Sequence, residues 1–160
     1  MKKSATSTTG KKRGRKPNKV SEKVGQVAEG KKLNFDGEEK IKSEELLTFK
    51  FEGAINQKIE IETPEFSAVC PFSGLPDIAK VKITYFPTTN KALELKALKY
   101  YFVSYRNVGI YQEGVTKRIY NDLMALLGHS NITVRTIYNV RGGIDVTCTE
   151  SGIENLRFPV

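Results

Sequence analysis

Apolar and polar residues alternate along three short stretches in the first half of the chain. The stretches are residues 46–51, 58–63 and 80–85, and in each of them every second residue is apolar or β-branched. A period of two places alternate side chains on opposite faces of a β-strand. The alternation therefore predicts strands of an antiparallel sheet, each with one apolar face and one solvated face.

The period changes to that of a helix further along the chain. Apolar residues recur at helical spacing over residues 94–106 and again over residues 115–127, where Gly128 can end the second helix. Two more strands are predicted near residues 132–138 and 143–149. The predicted order is three strands, two helices and two strands. This order predicts an α+β domain, with an antiparallel sheet that carries both helices on one face.

A segment rich in turn-forming residues separates the second and third predicted strands. Residues 66–77 contain two prolines and a glycine, which predict a shaped loop. The segment holds Cys70, one of two cysteines in the chain, and Asp77. A loop cysteine can act as a nucleophile if its pKa is lowered, and a neighbouring carboxylate can relay protons. A buried thiol followed by a turn aspartate is the alternative, and the segment alone leaves both open.

Two lysines define a second cluster, on the first predicted helix. Lys96 and Lys99 are three residues apart in the run Glu94–Tyr101, so they share one side of the helix. Two ammonium groups on one side could hold a phosphate. A solvated helix face is the alternative reading of the same pattern.

Two further clusters lie before the second helix and between the last two strands. Tyr111, Gln112 and Glu113 combine a ring, an amide and a carboxylate, which could stack on a planar heterocycle and accept its N–H groups. The alternative is an acidic residue favoured by the helix dipole. Arg141 followed by Gly142 and a second glycine allows close backbone approach beside a cation, or forms an ordinary hairpin turn.

The positive charge of the chain is concentrated at its N-terminus. Residues 1–32 contain 11 Lys and Arg against 2 Asp and Glu, whereas residues 33–160 are close to neutral. A segment so poor in apolar residues predicts a disordered basic tail, followed by a linker over 33–45 and a domain over 46–160. Lys12-Arg-Gly-Arg-Lys-Pro17 resembles the AT-hook, which predicts weak nucleic-acid contact, and a solubilising tail is the alternative.

Composition argues against several other classes of protein. One histidine and two cysteines are too few for an ordinary zinc site, so no metal is predicted, and two cysteines do not make a disulfide framework. No apolar run reaches about 18 residues, and the first lysines are not followed by an apolar stretch. The chain is therefore predicted to have no membrane segment and no secretory signal, and to be cytoplasmic.

Together the four clusters resemble a known family, the QueF-type nitrile reductases, which are NADPH-dependent 7-cyano-7-deazaguanine reductases. The run Glu94–Tyr101 satisfies every position of the family signature, in which a Glu precedes two lysines and an aromatic residue. Cys70-Pro-x-x-Gly-x-Pro-Asp77, Tyr105-Arg106-Asn107 and Arg141-Gly-Gly-Ile144 match as well. The resemblance covers residues 64–149, in the single-module short form of the family.

The resemblance implies both a fold and a reaction. The fold is the tunnelling fold, or T-fold, whose subunits form ring-shaped homo-oligomers with active sites between neighbours. Cys70 would attack the nitrile carbon to form a covalent thioimide, and Asp77 would supply protons. Two hydrides from two NADPH molecules would then yield 7-aminomethyl-7-deazaguanine, a precursor of queuosine in tRNA.

The resemblance also assigns binding roles by position. The residues expected to contact the NADPH phosphates are Lys96, Lys99, Arg141 and Gly142. The residues expected to hold the deazapurine are Glu94, Leu95, Tyr111, Gln112 and Glu113. Gln112 departs from the family pattern, which has a histidine between the aromatic residue and the glutamate. Glutamine can form hydrogen bonds but cannot exchange a proton near neutral pH, so a positioning role is predicted.

Two alternatives to the reductase remain at this stage. One is an amidinotransferase of the same superfamily, which would act on 7-cyano-7-deazaguanine already within tRNA. The other is a non-catalytic nucleic-acid-binding relative. The basic tail suits both. The complete run Glu94–Tyr101 opposes the first, because that branch lacks it, and intact Cys70 and Asp77 oppose the second.

Overall fold

A computed structural model describes residues 33–153, and the predicted basic tail lies outside the described residues. The described part of the chain contains β1 (Thr48–Lys50), β2 (Ile59–Val69), β3 (Pro76–Tyr85), β4 (Lys91–Leu93), α1 (Leu95–Ser104), α2 (Gln112–Leu127), β5 (Ile132–Tyr138) and β6 (Thr147–Ser151). Two short 3-10 turns precede them, Glu38–Lys40 and Ser43–Glu45. None of the helices within 33–153 is long and apolar enough to cross a membrane.

The main sheet has four antiparallel strands in the order β2-β3-β5-β6. β2 is longer than the alternation predicted, because the strand continues past an irregularity between Thr63 and Phe66. Pro64 lies at this point and cannot donate a ladder hydrogen bond, which accounts for the break in register. β1 pairs with β4 in a separate two-stranded sheet. β4 was not predicted, since three residues are too few to display a period.

A single hydrophobic core joins the main sheet to both helices. It includes Val81 and Val134 from the sheet, Leu98 from α1, and Ile119 and Leu123 from α2. The intervening side chains of β3 point away from this core. Both helices therefore cover the same face of the sheet, and the prediction of an α+β fold with antiparallel strands is confirmed.

The N-terminal part of the domain departs from the pattern in two ways. The alternating residues Leu47, Phe49 and Phe51 are exposed, so their apolar face does not enter the core of the described chain, whereas neighbouring Leu46 is buried. Residues 33–45, which the sequence predicted as a linker, contact the domain and bury Ile41 in its core. Periodicity reports which side chains share a face, but it does not report what covers that face.

The connection between β5 and β6 forms a tight hairpin. Arg141 and Ile144 exchange two backbone hydrogen bonds of 3.1 and 2.9 Å across Gly142 and Gly143. Both glycines have positive φ, of 57° and 81°, as a type I′ turn requires. The strand after this turn begins at Thr147, so residues 143–146 belong to the connection and not to the strand that was predicted from residue 143.

Candidate active site

The predicted nucleophile lies in the hairpin loop between β2 and β3. The loop covers residues 70–75, which is shorter than predicted, because residues 66–69 belong to β2 and residues 76 and 77 belong to β3. Cys70 N donates to Leu75 O over 2.9 Å, and Gly74 N donates to Cys70 O over 2.8 Å. These two bonds close the loop, and Gly74 adopts the left-handed conformation that the closure requires.

The loop stabilises the ionised form of the half-buried Cys70 thiol. The Ser73 hydroxyl makes the largest contribution to a lowered pKa of Cys70, and partial burial opposes it. The backbone N–H groups of Ser73 and Phe72 and the Arg141 guanidinium lower the pKa further. A lower pKa raises the fraction of thiolate at neutral pH, which is the form that attacks an electrophile. Sequence reasoning did not single out Ser73, because a serine in a turn carries no signal of this role.

Ser73→Ala is expected to raise the pKa of Cys70, because the substitution removes the largest of the stabilising contacts. The acid limb of thiol alkylation should then move to higher pH. We would follow iodoacetamide labelling of Cys70 against pH by peptide mass spectrometry, with Ser43→Ala as the matched control. An acid limb that stays in place in Ser73→Ala would contradict this account of the thiol.

Asp77 is buried beside this loop, as the second residue of β3. Only 4% of its surface is exposed, and Arg141 Nη1 lies 2.6 Å from Asp77 Oδ1. The contact is an ion pair without hydrogen-bond alignment, because Oδ1 has no hydrogen-bond partner among the described residues. The guanidinium balances the charge of the buried carboxylate and lies against its Oδ1 atom. A buried carboxylate with incomplete hydrogen bonding calls for an explanation, and a role in the reaction is one.

Arg141 therefore stands next to the nucleophile loop. Besides Asp77 Oδ1, its guanidinium reaches Pro76 O, which accepts from Nη2 over 3.5 Å. The Gly142-Gly143 turn directs the arginine toward β3 across the hairpin end. About 45% of the Arg141 side chain remains exposed. The predicted contact of Arg141 and Gly142 with a cofactor phosphate stays a prediction.

Tyr111, Gln112 and Glu113 lie at the same end of the sheet as Cys70. Ile110 N donates to Val69 O over 3.1 Å, which fixes the start of α2 beside the nucleophile loop. Tyr111 is the N-cap residue of α2 and its side chain is 65% exposed. Gln112 and Glu113 form the first turn of this helix, whereas the sequence had placed them just before it. All three are available to a ligand at this end.

Tyr138 links these residues to the sheet, and sequence reasoning missed it. It is buried at the end of β5, and its hydroxyl donates to Gln112 O over 3.2 Å. Burial raises the pKa of Tyr138, and the nearby Cys148, Asp77 and Glu113 raise it further. The hydroxyl therefore keeps its proton and holds the N-terminus of α2 against the sheet. In the sequence it is indistinguishable from any other apolar residue of a strand.

The second group of predicted residues surrounds the N-terminus of α1. The Glu94 carboxylate caps this helix by accepting from Lys96 N and Ala97 N, over 3.0 and 2.7 Å. Leu95 is 60% exposed. Lys99 pairs with Glu65, and Lys96 Nζ lies 5.9 Å from the centre of the Tyr100 ring. A helix N-terminus with two lysines on one side is suited to an anion such as a phosphate.

The second group begins at the other end of β3 and extends toward the middle of the sheet, where Lys99 pairs with Glu65 of β2. Leu93, one residue before Glu94, donates its backbone N–H to the Tyr85 hydroxyl over 3.1 Å. Tyr85 ends β3 while Asp77 lies near its start, and at about 3.3 Å per residue they are roughly 26 Å apart. The described chain brings Cys70, Asp77, Arg141 and residues 111–113 together. It does not bring the N-terminus of α1 to them. Residues 33–153 also contain no cluster of three His, Cys, Asp or Glu side chains that could hold a metal ion.

Known proteins resemble this chain over most of its length. The QueF-like protein family model matches residues 76–155. A protein of Thermotoga petrophila named NADPH-dependent 7-cyano-7-deazaguanine reductase is 55% identical over 127 residues, which cover 79% of this chain and 92% of the relative. A protein of the same name from Chlorobium luteolum is 50% identical over 93 residues, 58% of this chain and 79% of the relative.

A solved structure supports the fold independently. The crystal structure of an archaeosine synthase QueF-Like in its apo form aligns with a TM-score of 0.54 over 58% of this chain and 90% of that chain. At 22% identity, this likeness bears on the fold alone. The sequence relatives and the family model agree on the family, and the roles of Cys70, Glu94 and Arg141 stay predictions. The chain belongs to the QueF-like family of 7-cyano-7-deazaguanine reductases.

Proposed function

We propose that this protein is an NADPH-dependent oxidoreductase that reduces the nitrile of 7-cyano-7-deazaguanine to the aminomethyl group, a step of queuosine biosynthesis. The observation that carries the proposal is that the half-buried Cys70 has a lowered pKa and lies in a loop next to the Asp77–Arg141 ion pair. The relatives' shared name supplies the substrate and the cofactor. A free thiol must stay reduced to react, which favours the cytoplasm.

Cys70 turns the nitrile into a group that hydride can reduce. The thiolate forms a C–S bond to the nitrile carbon, and the nitrogen takes up a proton to give a thioimide with a C=N bond. Asp77 is the proposed proton donor: its carboxylate, buried beside the loop, would take the proton of the Cys70 thiol and pass it to the nitrogen. NADPH supplies the two hydrides, one from each of two molecules. The first hydride adds to the thioimide carbon, with a proton taken up at nitrogen. The C–S bond then breaks to release the thiol and leave an imine, and the second hydride with a second proton reduces that imine to the amine.

The cofactor phosphates would be held by the N-terminus of α1 with Lys96 and Lys99 of one copy, and by Arg141 of the neighbouring copy. Lys99 and Arg141 already have carboxylate partners in Glu65 and Asp77. Lys96 has no carboxylate partner within 33–153, so a phosphate can bind it without breaking an existing ion pair. Gly142, with no side chain, allows a phosphate to approach the hairpin next to Arg141.

Substrate binding would use the residues around Tyr111. Its exposed ring can stack on the flat deazapurine, and the Glu113 carboxylate can accept N–H groups of the heterocycle. The Gln112 side chain would position the substrate without exchanging protons. Glu94 and Leu95 would contribute from the other group, which requires a second copy of the chain.

The active site would be completed between subunits of a T-fold ring. Glu94 follows Leu93, which is bonded to Tyr85, and Tyr85 lies roughly 26 Å along β3 from Asp77, so Glu94 is too far from Cys70 to hold the same substrate within one copy. Both groups carry exposed apolar side chains, among them Tyr111 and Leu95, which a neighbouring copy could cover. A homo-oligomer in which the Cys70 end of one copy meets the α1 end of the next satisfies both observations.

The deciding experiment is an assay with purified protein. 7-Cyano-7-deazaguanine should be converted with two NADPH consumed per aminomethyl product, followed by the absorbance of NADPH and by mass spectrometry of the product. Omitting the nitrile serves as the control for uncoupled oxidation. No NADPH oxidation, or oxidation without the amine product, would refute the proposed function.

A further inference from the structure

A short N-terminal segment lies across the region next to the nucleophile loop. We call residues 33–36 the strap. Three hydrogen bonds hold Asp36 on the turn after α1. Asp36 N donates to Asn107 O over 2.8 Å, Gly109 N donates to Asp36 O over 2.9 Å, and Asn107 Nδ2 donates to Asp36 Oδ2 over 2.8 Å. The last residue of the strap is therefore fixed through both its backbone and its side chain.

The segment that holds the strap also holds the residue before Cys70. Val69 N donates to Val108 O over 3.0 Å, and Ile110 N donates to Val69 O over 3.1 Å. Asp36 thus lies along one side of residues 107–110 and Val69 along the other, each through a parallel bridge. A displacement of this middle segment moves the base of the nucleophile loop directly.

The strap also contacts the loop itself. A Cβ atom on Gly74 would lie only 2.7 Å from Leu33 O and 2.9 Å from Leu33 Cβ, so Leu33 passes in van der Waals contact with the loop. The Phe35 ring packs directly against Gly109, and a Cβ atom on Gly109 would overlap that ring. Between strap and loop lies a cleft of about 400 Å³, lined by residues 33–35 and 71–74.

We propose that the strap positions the nucleophile loop, with Asp36 as the positioning residue that anchors it. The proposal rests on the proposed function in that it takes Cys70 as the nucleophile. Phe72 and Leu75 are exposed, so the loop itself buries few side chains that could hold it in place. Contacts from residues 33–36 and 107–110 supply what the loop lacks. The bonds from Ser73 and Phe72 to the thiol persist only while the loop keeps this shape.

Asp36→Ala is the direct test, in the full-length chain. It should slow both turnover and iodoacetamide labelling of Cys70 at neutral pH by about tenfold, because a displaced nucleophile loses both its orientation and its stabilising contacts. The KM for NADPH should stay unchanged, since the N-terminus of α1 is not touched. Every variant keeps the Arg141–Asp77 ion pair beside the loop, so a change in labelling does not come from the loss of either charge. Asp36→Asn retains an oxygen that accepts from Asn107 and should restore both rates.

Glu52→Ala is the matched control. It breaks a similar exposed clamp, in which Asn90 Nδ2 donates to Glu52 Oε2 over 2.9 Å beside the β1–β4 sheet. Labelling of Cys70 should be unaffected there. Equal labelling rates in Asp36→Ala and wild type would overturn the proposal, as would equal slowing in Glu52→Ala. Labelling of Cys70 needs no substrate, so it tests the strap independently of the enzyme assay. A wild-type chain that fails to oxidise NADPH would refute the proposed function, and the labelling rates would still decide whether the strap positions the loop.

A second pair of variants tests the same contact without removing a hydrogen bond. Gly109→Ala should push the Phe35 ring away and slow Cys70 labelling, because the new methyl group takes the space of the ring. Phe35→Ala alone loses the ring contact and completes a double-mutant cycle. In the double variant the overlap is gone, so it should label at the rate of Phe35→Ala alone. If the double variant labels more slowly than Phe35→Ala, the overlap with the strap is not what slows Gly109→Ala, and the proposal fails.

Discussion

Cys70→Ala is expected to abolish nitrile reduction, with a loss on the order of 10⁴-fold or more in turnover, as is typical when a covalent nucleophile is removed. The reason is chemical. A nitrile accepts hydride poorly until a thiolate adds to its carbon and creates a C=N bond. The variant should therefore bind the substrate without forming the thioimide. Absorbance of the adduct and intact-protein mass spectrometry would measure its loss.

The second cysteine provides the matched control. Cys148 is half-buried in β6, and burial is the first cause of its raised pKa, with the Glu113 charge raising it further. It therefore carries little thiolate at neutral pH, and Cys148→Ser should retain turnover. Wild-type activity in Cys70→Ala, or inactivity in Cys148→Ser alone, would show that Cys70 is not the nucleophile.

Two inactive variants are expected to restore each other when they assemble together. One carries Cys70→Ala, and the other carries Lys96→Ala with Lys99→Ala. If each active site takes Cys70 from one copy and the lysines from the next, random mixing leaves about one quarter of the sites intact. Co-expression with two affinity tags would isolate the mixed oligomers, and turnover per site would measure the recovery.

A mixture of Cys70→Ala with Asp77→Asn is the control for this experiment. Both substitutions fall in the group at the Cys70 end, so every site in the mixed oligomer keeps one of the two lesions. No recovery is expected there. Recovery in this control, or its absence in the lysine mixture with proven co-assembly, would contradict a site shared between copies.

Sequence reasoning recovered those parts of the site that depend on local pattern. The strands β3 and β5 and the helices α1 and α2 follow from apolar residues that recur with periods of two and of 3.6 residues. Such a period can be seen from residues that are close together in the sequence. Cys70 and Asp77 were singled out because a turn with two prolines places a thiol and a carboxylate within eight residues and resembles a family motif, and their roles stay predictions. The run Glu94–Tyr101 was found as a contiguous motif.

The same reasoning failed where a role depends on the geometry of a contact in the folded chain. Ser73 and Tyr138 act through the Cys70 thiol and through a carbonyl of α2, and neither contact leaves a trace in spacing. The exposure of Phe49 was not foreseen for a related reason. Alternation distinguishes two faces of a strand, and only the packing of the whole chain decides which face is covered.

The sequence by itself determined the α+β class and the order of the longer elements, and it offered Cys70 and Asp77 as the candidate reactive pair, since each is encoded in residues near one another along the chain. Only the tertiary structure decided that Arg141 pairs with Asp77, because the β5–β6 hairpin must first pack next to β3. It also decided that Glu94 lies toward the Tyr85 end of β3, because the preceding Leu93 donates to the Tyr85 hydroxyl. No local pattern relates the position of α1 to that of the Cys70 loop.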